Sequence, residues 1–177
     1  GKSMKLLTSR VQDATGGILA FNEASQAVAI GTAAGLSSDQ LTGLATVAKN
    51  ASVALGRDLT DSFNRLTRGA IKAEPELLDE LGIIIRLNTV TEEYGRVLNK
   101  AAEDLTQFEK TQAVVNAVLS QGNEKFDEVG NNINQVARLG KKFNDLVKSV
   151  GDFIDPLTKF ISGALANNII GLTAAFS

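Results

Sequence analysis

The chain has 177 residues, of which 44% are hydrophobic and 21% charged, with a formal net charge of −2. That balance fits a folded globular chain and excludes a disordered acidic or basic tail. Neither cysteine nor histidine occurs, which removes disulfides, thiolate metal sites, the commonest general base and the commonest nitrogen ligand.

The opening stretch GKSMKLLTSRVQDATGG lacks a sustained apolar core before a cleavage site, so no secretory signal is read there. Gly1-Lys2-Ser3 matches the end of a phosphate-binding loop, but the glycines and strand that must precede it are missing. Opening on Gly1 and stopping inside an apolar run at Ser177, the chain reads as a segment of something longer.

Met4, Leu7, Val11, Ala14, Ile18, Phe21, Ser25 and Val28 recur at steps of three and four, which predicts one narrow helical seam over the first 35 residues. Gly16 and Gly17 interrupt that seam, at about 1 kcal/mol each relative to alanine, so the helix there is firmly packed or bent. From Ala20 to Ala34 the residues are mostly small, which lets a neighbouring backbone come close.

A second helix is better punctuated. Ser37 with Gln40 matches a capping box, Leu41, Leu44, Ala48, Ala51 and Leu55 form its stripe, and Gly56 supplies a left-handed stop. Asp58 opens the next helix, with Leu59, Phe63, Leu66 and Ala70 on its buried side.

Pro75 fits the first turn of a short helix, where Glu74 and Glu76 meet the positive end of the dipole. Leu77, Leu78 and Leu81 face inward and Gly82 ends the element after about two turns. Ile83, Ile84 and Ile85 then read as a short buried run, a small strand at most. A two-turn helix does not persist alone, because nucleation is too costly. Residues 36–122 are therefore expected to close as a compact helical module. Thr89 or Thr91 starts the next helix, through Tyr94 and Leu98. Ala101, Leu105, Phe108, Gln112, Val115 and Leu119 form a further stripe, stopped by Gly122.

Beyond that glycine, over residues 123–177, the pattern changes. Phe126, Val129, Ile133, Val136, Gly140, Phe143, Val147, Val150, Ile154, Leu157 and Ile161 keep heptad spacing. A second stripe overlaps it through Leu139, Leu146, Phe153 and Phe160, so the apolar face is broader than a dimeric coiled coil needs. Such a face suits a bundle of three or more helices or a helix packed on two sides, and a kink or break is expected at Asp155–Pro156. Taken together, the chain reads as all-α: a compact helical module flanked by long helices, oligomeric in its C-terminal part.

Two charged segments invite a chemical reading. Arg65, Arg68 and Lys72 lie three and four apart on one helix face and make a candidate contact for phosphates or an acidic partner. The bland alternative is pairing with the segment beside it, where Glu74, Glu76, Asp79, Glu80, Glu92 and Glu93 stand against Arg86 alone. No aromatics interleave the basic residues to favour nucleic acid. The acids have no partner base and no cleft-forming strand pattern, so no enzyme, cofactor or metal site is expected.

Residues 160–176, FISGALANNIIGLTAAF, carry no charge over 17 residues, the lower edge for crossing a bilayer. Asn167, Asn168 and the glycines favour a buried oligomer contact over membrane insertion.

Residues 54–126 closely resemble a recurrent block in tail tape measure proteins of tailed bacteriophages. The most specific pieces are Gly56-Arg57-Asp58-Leu59, Phe63-Asn64-Arg65-Leu66 and Glu74-Pro75-Glu76-Leu77-Leu78-Asp79-Glu80-Leu81-Gly82-Ile83. The resemblance implies a long, mostly helical homo-oligomer in the lumen of the tail tube or tail tip, with three copies preferred over six. It implies tail tube and tail tip proteins as partners, the end of the genome DNA as a candidate neighbour, and release ahead of DNA at ejection. Passage through the host membrane is the alternative role it suggests. It carries over no catalytic residue. A ruler of this kind suits a helix, whose length grows linearly with sequence: at 1.5 Å per residue the stripe from Phe126 to Ile161 would run roughly 54 Å.

Overall fold

The computed structural model describes residues 2–132, with side chains from residue 3, and all its regular elements are helical. Ile133, Val136, Phe143, Val147, Val150, Ile154, Leu157 and Ile161, the kink expected at 155–156 and the uncharged run 160–176 lie outside the described residues.

Helices α1 (Lys2–Ala14) and α2 (Phe21–Ala33) replace the single seam expected over this region. The physical reason is the glycine pair: Gly16 and Gly17 take φ of +73° and +76°, two consecutive left-handed residues that end a right-handed helix. Thr15 helps to close the turn, its hydroxyl donating to the Gln12 carbonyl at 2.8 Å. Past the turn the register changes, so Ile18 is 67% exposed and Leu19 enters the core instead.

Helix α3 (Ser38–Leu55) begins with the capping box read from the sequence. Ser37 Oγ accepts from the Gln40 amide at 3.1 Å, and Gln40 Oε1 accepts from the Ser37 amide at 3.0 Å. It stops at Gly56, with φ of +63°. Helix α4 (Leu59–Lys72) is capped by Asp58, whose Oδ1 accepts from the Asp61 amide at 2.8 Å. Its stripe of Leu59, Phe63, Leu66 and Ala70 is buried as expected.

Helix α4 ends at Ala73, a non-glycine residue at φ +53°. Pro75 holds the preceding Glu74 extended, at φ −99° and ψ 92°, so the reversal falls on Ala73. Helix α5 (Pro75–Asp79) is a turn and a half long and gives way to Gly82 at φ +71°. The isoleucine run has no regular structure, and its burial alternates: Ile83 and Ile85 are buried while Ile84 is 64% exposed. Three buried isoleucines were expected, but an extended chain turns successive side chains to opposite sides. Leu77 is half-buried, whereas Leu78 and Leu81 are fully buried.

Helix α6 (Leu87–Leu98) starts two residues before Thr89. Thr91 does not cap it; its hydroxyl bonds back to the Leu87 carbonyl at 2.8 Å, inside the helix. After Asn99 (φ +55°) and a 3-10 turn at Ala102–Asp104 comes helix α7, which starts at 107 and takes in all the described residues from there, 107–132. The stripe expected from Ala101 to Leu119 is therefore broken before 107, and Phe108 is 53% exposed.

Cross-helix contacts set the directions. Arg10 reaches Ser38 and Gly16 lies against Lys49, so α1 and α3 run the same way. Gln40 meets Gln112, Gly43 meets Leu119 and Val47 meets Gly122, so α7 is parallel to α3 as well. Gly31 packs on Leu41, which brings the end of α2 to the start of α3, and Glu23 accepts from Thr60 at 3.1 Å, which brings the starts of α2 and α4 together. The described residues up to Gly130 form one compact unit. Helices α1 and α2 thus share a core with the stretch 36–122, because Val11, Leu19 and Val28 bury in the same cluster as Leu44, Phe63 and Val114.

Candidate functional site

The basic face singled out on α4 is occupied by the chain itself. Arg65 Nε donates to Asp61 Oδ2 at 2.8 Å and its NH1 to Glu80 Oε2 at 2.6 Å. Arg57 NH1 approaches the same Glu80 oxygen at 3.4 Å, and Lys72 Nζ lies 3.8 Å from Glu74. The hydrogen bond to Asp61, then the charges of Asp61 and Glu80, raise the Arg65 guanidinium above its ordinary value. Arg68 is exposed and borders a hollow of about 360 Å³ with Asn64, Arg65 and Leu77. Two of the three candidate phosphate contacts therefore face carboxylates. Each pair is partly exposed and contributes little alone, but two arginines on one carboxylate fasten α5 to α4.

Among the described residues no group of three or more Asp, Glu, His or Cys side chains is gathered to hold a metal ion. Among the same residues no helix is long and apolar enough to cross a membrane.

The contact of α3 with α7 is built on close approaches at glycines and a polar bridge. A Cβ added to Gly122 would stand 2.4 Å from Val47 Cγ1, one on Gly43 would stand 2.8 Å from Leu119 Cδ2, and one on Gly130 would stand 2.5 Å from Asn50 Nδ2. Gly122 is thus an approach point inside α7 and not the stop expected of it. Gln40 serves two purposes here. Its carbonyl oxygen completes the α3 capping box, and its Nε2 donates across the seam to Gln112 Oε1 at 2.7 Å and Asn116 Oδ1 at 3.2 Å. This bridge and the glycines fix the register of α7 on α3.

Of the stripe proposed for oligomer contact, two positions fall within the described residues. Phe126 is 3% exposed and belongs to the unit's own core, and Val129 is half-buried. Phe126 therefore already has its apolar partners inside one chain.

One charged arrangement went unread in the sequence. Thr106 and Glu109, in the spacing Thr-x-x-Glu, form a capping box at the start of α7: Thr106 Oγ1 accepts from the Glu109 amide at 3.2 Å and Glu109 Oε2 accepts from the Thr106 amide at 2.8 Å. Lys100 Nζ donates to the other carboxylate oxygen. The Lys100 bond, then the Thr106 amide and hydroxyl, hold the Glu109 carboxyl down to about 2.

The folded value lies below the ordinary 4.5, so this carboxylate's stabilisation is complete above about pH 4.5 and is lost as the pH falls towards 2. Glu109→Gln keeps an acceptor for the Thr106 amide and removes the charge facing Lys100. Its urea midpoint is expected below the parent's at pH 7, with the gap closing as acid is added. An equal gap at pH 7 and pH 2.5 would refute the assignment.

No protein-family model matches the chain, and no solved structure matches it.

Proposed function

We propose that the chain is a segment of a bacteriophage tail tape measure protein, a non-catalytic structural part lying in the lumen of the tail tube or tail tip. The observation that carries the reading is the block over residues 54–126. Its most specific pieces fall where this fold makes its turns and its clasp. Gly56 is the left-handed stop of α3 and Asp58 the cap of α4. Pro75 opens α5 and Gly82 is the left-handed turn after it. Arg57 and Arg65 meet Glu80, joining the three pieces in space. These residues make one structural unit, which gives them a reason to travel together as a motif.

In this reading the compact unit is a folded station along a helical ruler. The heptad stripe beyond it associates with sister copies, three preferred over six, because a broad apolar face does not stay in water. Tail tube and tail tip proteins surround it, and it leaves ahead of the DNA. Removing two heptads, residues 137–150, is expected to shorten the assembled tail by about 21 Å, at 1.5 Å per residue. Electron microscopy of assembled particles measures this, and tails of unchanged length would remove the ruler role from this segment.

A membrane role is the second reading, favoured by the uncharged run 160–176. It requires leakage from liposomes by the full chain that is lost when residues 152–177 are deleted. Absence of leakage from both chains eliminates it.

A further inference from the structure

We infer that residues 74–82 form a detachable strap whose charged clasp is Glu80, a carboxylate that takes Arg65 of α4 and Arg57 just before that helix. The segment is bracketed by two left-handed residues, Ala73 at φ +53° and Gly82 at φ +71°. Such residues interrupt helical continuity, so what lies between them opens and closes without dragging α4 or α6 along. Its one helix, α5, is five residues long and has no stability of its own.

Everything that holds the strap is therefore tertiary. Leu78 sits over Gly69 of α4, where an added Cβ would meet its Cδ2 at 2.9 Å, and Leu78 and Leu81 are fully buried. Polar fastenings close the rim: Arg65 and Arg57 on Glu80, at 2.6 and 3.4 Å, Lys72 towards Glu74, and Lys125 Nζ on the Gly82 carbonyl at 2.6 Å.

The charge arrangement makes the lock sensitive to ionic strength. The strap carries Glu74, Glu76, Asp79 and Glu80 and no basic residue, so it repels itself and depends on Arg65 of α4 and on Arg57 in the link before that helix. Arg57, Arg65 and Glu80 keep 36%, 33% and 43% of their side-chain surface in water, which leaves the pairs open to screening. Salt loosens the clasp, the strap lifts, and its own Leu78 and Leu81 become the first buried apolar side chains of the unit to meet water. The device stands whether or not the chain lies in a tail tube.

Native-state hydrogen exchange on the full chain tests it. The amides of Leu81, Gly82 and Ile83 donate within the strap, to Leu78, Asp79 and Leu78 carbonyls at 2.9, 2.7 and 3.0 Å. In Glu80→Gln these three amides are expected to exchange roughly five- to tenfold faster, the sum of two partly exposed pairs. Amides in the middle of α3 and α7 should change less than about twofold, since they report on the whole unit. Raising the parent to 1 M NaCl should reproduce the selective acceleration and add little in Glu80→Gln. Acceleration shared by α3 and α7, or no acceleration in the strap, overturns the inference.

Discussion

Phe63→Ala is expected to remove about 3–5 kcal/mol of folding free energy, out of the roughly 5–15 kcal/mol typical of a domain. Phe63 heads the fully buried side chains by volume, at 1% exposure, and stands on the inner face of α4 between Leu59 and Leu66. Its ring is enclosed by the single core cluster that joins α1, α2, α3, α4 and α7. Removing it therefore leaves a cavity that no one element can collapse into, and the cavity term adds to the lost transfer energy. At roughly 2–4 °C per kcal/mol for a chain of this size, thermal unfolding should move down by about 6–20 °C. Phe108→Ala is the control. That ring is 53% exposed and rests on Gly35, so its loss is expected to cost under about 1.5 kcal/mol. Equal shifts for the two variants would place the core elsewhere.

Gly122→Ala carries the second large effect, and its sign is the informative part. In the middle of a helix this change ordinarily stabilises by about 1 kcal/mol. Here the new methyl would stand 2.4 and 2.9 Å from the two methyls of Val47, a residue with no exposed surface. A β-branched side chain on a helix has essentially one rotamer, so Val47 does not swing aside and α7 must lift off α3. Overpacking of this kind costs about 1–3 kcal/mol, enough to reverse the propensity gain.

The double variant Val47→Ala, Gly122→Ala should recover most of the loss, because it removes both Val47 methyls that the new Cβ at 122 would meet. Urea unfolding of the two single variants and the double completes the cycle. A stabilised Gly122→Ala, or a double variant no better than additive, would contradict a tight crossing at this point. Gly31→Ala makes a useful contrast. Its Cβ would come within 2.3 Å of Leu41 Cδ2, but that atom ends a side chain with more than one rotamer, unlike the β-branched Val47.

These two sites also divide what was legible from what was not. Phe63 was readable because α4 carries its own pattern, with Leu59, Phe63, Leu66 and Ala70 at steps of three and four. Gly122 was read as a stop because a glycine after an apolar stripe usually is one; only Val47, 75 positions away, explains why this glycine lies inside α7. The basic face had the same ambiguity. Spacing put Arg65, Arg68 and Lys72 on one side of a helix, but spacing is silent on what stands opposite. Asp61, four residues before Arg65, is local, but Glu80 and Glu74, which meet Arg65 and Lys72, arrive through the Ala73 reversal, which no glycine announces. The Thr106–Glu109 box was visible in the letters and was masked by the apolar stripe running through it.

The sequence by itself determined the all-helical character and the caps and stops at Ser37, Gly56, Asp58, Pro75 and Gly82. Each of these rests on hydrogen bonds or backbone angles settled within four residues, so the information is local. The tertiary structure alone decided that α1 and α2 join the core, that Ile84 faces out, that α7 passes straight through Gly122 and that Glu80 draws two arginines together. Those outcomes depend on contacts between residues tens of positions apart, where volume and charge are matched only after the helices have met.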